Sequence, residues 1–124
     1  MTPISFIEKR IPGALLIPGF RAGSVHFSYK TRDKRRPERQ EYFDKIIVSI
    51  WRFGLVNPLI TYKGRILVGM SRWEIMIKFD PLYIFDCWEI LEAVEEWNRY
   101  DLDRLDTLKK HYESISNWKE IWDK

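Results

Sequence analysis

The spacing of apolar positions changes period several times along the chain, and each change marks an element. In "SVHFSY", Val25, Phe27 and Tyr29 alternate with Ser24, His26 and Ser28, the two-residue period of a half-buried strand with His26 on its polar face. "ALLI", residues 14–17, is a further strand candidate, set apart by Pro18-Gly19 and the loop around Gly23. From Pro37 the period lengthens. Phe43, Ile46, Ile47 and Ile50 fall on one helical face, Pro37 suits a first turn, and Gly54 suits the left-handed residue that ends a helix. A helix is therefore expected over 37–53, and Pro58 keeps it from resuming.

"PLITY" and "RILVG" follow as two short strands closed by Lys63-Gly64, a compact hairpin. A helix from Ser71 to about Phe79 ends at Asp80-Pro81, and "YIFDCWEI" reads as another strand. From Leu91 onward the pattern is helical, with breaks around Asn98–Asp103 and near Ser114–Asn117. Leu102, Leu105 and Leu108 are placed to face the core, while Trp118, Ile121 and Trp122 either complete it or form a dimer contact. The order of elements predicts an α/β (α+β) fold, a small mixed sheet with packed helices. Residues 1–90 would be its core and residues 91–124 a C-terminal helical closure of the same domain.

Composition narrows the class. At 124 residues, with 45% hydrophobic and 15% aromatic content, the chain supports one packed domain and is not disordered in character. Six tryptophans and seven phenylalanines exceed what a small core easily hides, so a share of them suits a partner surface or ligand wall. The single cysteine, Cys87, has no intramolecular partner and sits in an apolar strand, which fits a reducing compartment and an inert thiol. No apolar run reaches membrane-spanning length, and a cytoplasmic location without membrane contact is expected, the host cytoplasm if phage-encoded.

The net charge of +3 hides an asymmetry: residues 1–84 hold 15 Lys/Arg against 7 Asp/Glu, and residues 85–124 hold 6 against 11. Much of the positive charge lies in "KTRDKRRPERQ", where Lys30, Arg32, Lys34, Arg35, Arg36 and Arg39 form either a solvated loop or a contact for a phosphate backbone such as that of DNA.

The corner "VGMSRWEI" carries the most chemistry. Ser71 and Glu74 have capping-box spacing, in which the serine hydroxyl and the glutamate carboxylate each accept from the other's amide. That leaves Gly69, Met70 and Arg72 unexplained. Gly69 allows close backbone approach or a positive φ, the first-turn amides attract anions, and Arg72 places a cation where the helix dipole disfavours one.

Over roughly residues 37–80 the chain resembles the ParB/sulfiredoxin-like superfamily. The family's pattern of a helix ending S-I-x-x-x-G-L-x-x-P, a hairpin, and G-x-x-R opening a helix is met by Ser49, Ile50, Gly54, Leu55, Pro58, Gly69 and Arg72. The resemblance implies a nucleotide site. Asn57 stands where ParB-type members carry a glutamine that helps recognise the nucleotide. Gly69 and Arg72 match the first and last positions of their G-E-R-R triphosphate corner, with Met70 and Ser71 replacing the middle pair. "EEWNRYDL" resembles the E-N-x-Q-R segment of these proteins, which implies Glu95 or Glu96 as ligands of Mg²⁺ and Arg99 as a phosphate contact. In sulfiredoxins the residue after the corner glycine is the nucleophilic cysteine. Here it is Met70, so that reaction is not expected.

The resemblance thus implies a nucleoside triphosphate ligand, CTP or another, bound with Mg²⁺. Gly54, Asn57, Pro58, Gly69, Ser71, Arg72 and Arg99 would line its site, and the protein would be an accessory or switch in DNA transactions or a slow nucleotide hydrolase. By the same family analogy a small stand-alone member suits a phage or plasmid. The alternative is a non-catalytic nucleic-acid or protein-binding module that uses the basic loop 30–39 and aromatics such as Trp97, Trp118 and Trp122, with a degenerate pocket. A helix-turn-helix reader does not fit after residue 102. A nuclease ranks below both, because residues 1–80 offer few clustered carboxylates.

Overall fold

The structure is a computed structural model and describes residues 2–23, 25–27, 41, 44–45, 47–48 and 58–114, the last three of these by backbone alone. Seven strands are found there: β1 (Phe6–Pro12), β2 (Ile17–Pro18), β3 (Phe20–Ala22), β4 (Val25–Phe27), β5 (Leu59–Tyr62), β6 (Arg65–Val68) and β7 (Ile84–Ile90). Two helices follow the hairpin and the last strand, α1 (Met70–Phe79) and α2 (Arg99–Ser114), and Gly13–Leu15 and Val94–Glu96 form single 3₁₀ turns. Glu41, Asp44, Lys45, Ile47 and Val48 are helical, in keeping with the helix expected over 37–53. Phe43, Ile46 and Ile50 lie outside the described residues, as do Lys30, Arg32, Lys34, Arg35, Arg36, Arg39, Gly54, Asn57, Trp118, Ile121 and Trp122.

β7, β5 and β6 are the inner strands of a five-stranded mixed sheet in the order β1-β7-β5-β6-β2, and β3 and β4 pair separately. β7 runs antiparallel to β1 and parallel to β5. The β5–β6 hairpin closes where the sequence places it. Lys63 (φ 48°) and Gly64 (φ 76°) are both left-handed, the two-residue turn whose twist matches that of the strands.

Each face of the sheet carries its own core. On one, Leu59, Ile66, Phe85 and Cys87 are covered by Trp73, Met76 and Ile77 of α1. On the other, Ile60, Tyr62, Trp88 and Ile90 meet Val25, Val94, Trp97 and Leu105, with Leu102 and Leu108 packed against them. This is why β5 is buried at all four positions and β7 from Cys87 to Ile90: covered on both faces, a strand loses the alternation of a half-buried one.

Four expectations change. "ALLI" is not a strand; residues 13–15 form the 3₁₀ turn and only Ile17 enters β2, because Gly13 is pinned by its amide to the Tyr83 carbonyl at 2.8 Å. Helix α1 begins at Met70, with Gly69 as its cap, so Ser71 already lies inside the first turn and the capping box with Glu74 is not in register. The helical pattern after Leu91 resolves into the 3₁₀ turn at Val94–Glu96 and a helix that starts at Arg99, where a break was expected. Trp97, a candidate for base stacking, is 5% exposed in the core and presents no face to a base.

Candidate functional site

The corner between β6 and α1 is built around Gly69. Its φ is 101°, and a Cβ there would stand 2.5 Å from Leu59 Cδ2, so both the backbone conformation and the space exclude a side chain. The same spot lies 3.7 Å from the Leu59 Cα, which brings Pro58, the residue before it, beside the corner. Pro58 is half-buried, as are Gly69, Ser71 and Arg72.

Helix α1 leaves the corner with the Trp73 amide donating to the Gly69 carbonyl at 3.0 Å. The amides of Met70, Ser71 and Arg72 have no acceptor four residues back within the helix, and the first turn contains no acidic residue. Charge of the sign that the helix N-terminus favours is therefore missing from the helix itself, and Arg72 adds a cation. The helix is fixed in place. Trp73 Nε1 donates to the Gly13 carbonyl at 3.0 Å, and Glu74 is engaged further along α1 by Lys78 at 3.8 Å. A helix start whose first amides lack intrahelical acceptors and whose first turn carries an arginine has the makings of an anion site.

The other sequence candidates sit elsewhere. Glu95 lies in the 3₁₀ turn Val94–Glu96 and accepts the Tyr62 hydroxyl at 2.5 Å, with Lys63 at 3.4 Å. The Tyr62 hydroxyl beside it holds the Glu95 carboxyl below its ordinary pKa, while burial first and Glu95 second push the tyrosine up. Tyr62 and Lys63 mark the closed end of the hairpin and Gly69 follows its open end, about 13 Å of strand away at 3.3 Å per residue. The structure therefore brings Pro58, Gly69, Ser71 and Arg72 together and sets Glu95 apart from them. Glu96 is exposed. Among the described residues no three His, Cys, Asp or Glu side chains are grouped to hold a metal ion. The carboxylate of Glu95 is committed to Tyr62 and Lys63 and fits such a role poorly. Glu96 lies in the same turn as Glu95 and is likewise set apart from the corner.

Arg99 is exposed at the first position of α2. The segment around it does structural work that the sequence reading missed. Asn98 Oδ1 accepts from the amides of Tyr100 (2.9 Å) and Asp101 (3.4 Å), and Asp101 Oδ2 accepts from the Asn98 amide at 3.0 Å. This reciprocal cap, at Asn-x-x-Asp spacing, starts the helix. Asp101 Oδ1 then meets Arg104 at 2.7 Å.

No protein-family model matches the chain, and no curated protein matches it. Among solved structures it is similar to a Pnob8-like ParB-N domain in its C2221 crystal form, with a TM-score of 0.51 and 17% identity. The match covers 77% of this chain and 34% of the other, so the chain spans about a third of that protein's length. No helix among the described residues is long and apolar enough to cross a membrane.

Proposed function

With a ParB-like mixed α+β fold as the premise, we propose that the β6–α1 corner binds the phosphates of a nucleoside triphosphate, CTP by the family resemblance, and that the protein acts as a nucleotide-dependent accessory or switch in DNA transactions. The observation that supports this reading is the start of α1: a left-handed glycine, no acidic residue in the first turn, and Arg72 on a helix anchored by Trp73. Backbone amides of Met70, Ser71 and Arg72 and the Arg72 guanidinium hold phosphate oxygens. Gly69 lets them approach without a side chain between, and Pro58 closes the side beside Leu59. Mg²⁺, when bound, would neutralise charge on the triphosphate and be carried by phosphate oxygens and water, since Glu95 and Glu96 share a turn set apart from the corner. A switch requires that the nucleotide favour one conformation, since a ligand shifts only states it distinguishes.

The test is a thermal-shift panel of CTP, GTP, ATP and UTP, with and without Mg²⁺, on the wild type, Arg72→Ala and Ser71→Glu. A ligand at a hundred times its dissociation constant stabilises by about 2.7 kcal/mol, a shift of several degrees at this size. Arg72→Ala should lose that shift. Ser71→Glu is the sharper variant, because a carboxylate in the first turn stabilises the free helix by about 0.3–1 kcal/mol while repelling a phosphate. A Ser71→Glu protein that is as stable as wild type and still responds to nucleotide would place the ligand elsewhere. No response to any nucleotide in the wild type would reduce the corner to a helix start.

A further inference from the structure

Away from the corner, one buried carboxylate has no cationic partner among the described residues. Glu89 is 5% exposed on β7, and its carboxylate accepts the Thr61 hydroxyl at 3.1 and 3.3 Å and the Gly64 amide at 3.3 Å. These bonds pin the hairpin turn against β7, but both donors are neutral and the oxygen of an amide would serve them equally. No Lys, Arg or His pairs with Glu89 among the described residues. A carboxylate at the wall of a groove with no cation of the protein against it is an acceptor for a ligand that brings one.

The surroundings fit one. Glu89 lines an open groove of about 540 Å³ that runs over β1, the end of β7 and the β5–β6 turn. That volume lies in the range of small-molecule sites. Strand register sets Thr61 beside Glu89, and Ile7 opposite it puts Lys9, two residues on, on the same sheet face. Of the other charged groups along the groove, Lys9 stands exposed on the rim and two are engaged. Glu92 is bound by Arg104 at 2.6 Å, and Lys63 turns to Glu95 at 3.4 Å. We propose that this groove binds a small organic cation, an alkylammonium or guanidinium compound, whose N–H groups donate to Glu89. The site is distinct from the nucleotide corner and does not depend on it.

The probes are agmatine and putrescine, titrated into the full chain by calorimetry at constant ionic strength. Saturable binding is expected in the wild type. Glu89→Gln keeps an acceptor for Thr61 and Gly64 but removes the charge, and should weaken binding at least about tenfold, as expected for a lost charged hydrogen-bond partner. Lys9→Glu, exposed on the rim, should tighten it and serves as the second variant if Glu89→Gln does not fold. Glu8→Gln removes the same charge from the opposite face of β1 and should leave binding unchanged. No saturable heat with either amine, equal binding by wild type and Glu89→Gln, or indifference to Lys9→Glu overturns the assignment.

Discussion

Replacing Arg104 by alanine removes the side chain that ties the two ends of the described chain together. Arg104 is 8% exposed and donates to Glu92 at 2.9 and 2.6 Å, to Asp101 at 2.7 Å, and to the carbonyls of Thr2 and Pro3 at 2.6 and 3.1 Å. Its truncation strands two carboxylates whose side chains are 25% and 15% exposed. Removing one partner of a buried ion pair costs about 3–5 kcal/mol. The lower end applies, since Glu92 keeps the Ser5 amide at 2.9 Å and Asp101 keeps that of Asn98 at 3.0 Å. Against a total stability of roughly 5–15 kcal/mol for a domain, about 3 kcal/mol lowers the melting temperature by roughly 10 °C. Urea denaturation of wild type and Arg104→Ala measures the loss directly. The double variant Arg104→Met, Glu92→Leu should recover part of it, because it leaves fewer charges stranded. An Arg104→Ala protein within about 1 kcal/mol of wild type would refute the reasoning.

The same network fixes an acid dependence. The guanidinium of Arg104 foremost holds Glu92 below its ordinary range, and the Asn98 amide, ahead of Arg104, does so for Asp101. Both folded values lie below the unfolded ones of about 4.3 and 3.9. Their contribution is therefore complete above the unfolded values and is lost as pH falls through the folded ones. Wild type should lose stability steeply below about pH 4. Arg104→Ala should show a shallower slope, though not a flat one, since the Asn98 amide still holds Asp101.

Three further outcomes follow from local geometry. Gly69→Ala combines a positive φ with a Cβ 2.5 Å from Leu59 Cδ2 and should cost about 2–4 kcal/mol, whereas Gly64→Ala meets nothing closer than 3.9 Å and should cost about 1 kcal/mol; equal losses in urea would contradict this. Burial, then Glu89 and Asp86, push the Cys87 thiol up to about 12, so Ellman's reagent at pH 8 should find no reactive thiol in the native protein and one in denaturant. Asn98→Ala should cost about 1 kcal/mol as the loss of a cap, while Ser71→Ala should stay within about 0.5 kcal/mol; the reverse order would restore Ser71 as the cap of α1.

What could be read from the sequence divides along the range of the forces involved. Lys63-Gly64 specifies its turn by local backbone preference, and α1 announces itself by period and by the Asp80-Pro81 stop, so the turn and the end of α1 stand where the sequence places them. The polar tract Glu8-Lys9-Arg10 within β1 has no alternation to read. It is extended because seven residues pair with β7, more than seventy positions away. The two caps show a subtler limit. Ser-x-x-Glu and Asn-x-x-Asp are both legible cap spacings, yet only the second is used, because Gly69 turns left-handed and starts α1 before Ser71 is reached. Nearby backbone freedom thus overrides a side-chain motif at Ser71. Glu89 marks the far limit. In sequence it is one more acid of a strand, and its meaning comes from Thr61, 28 residues earlier, and from a groove that exists only once β1 has docked. The corner's residues are neighbours in the chain and can be read together, whereas the contacts of Glu89 are made across strands and wait for the sheet.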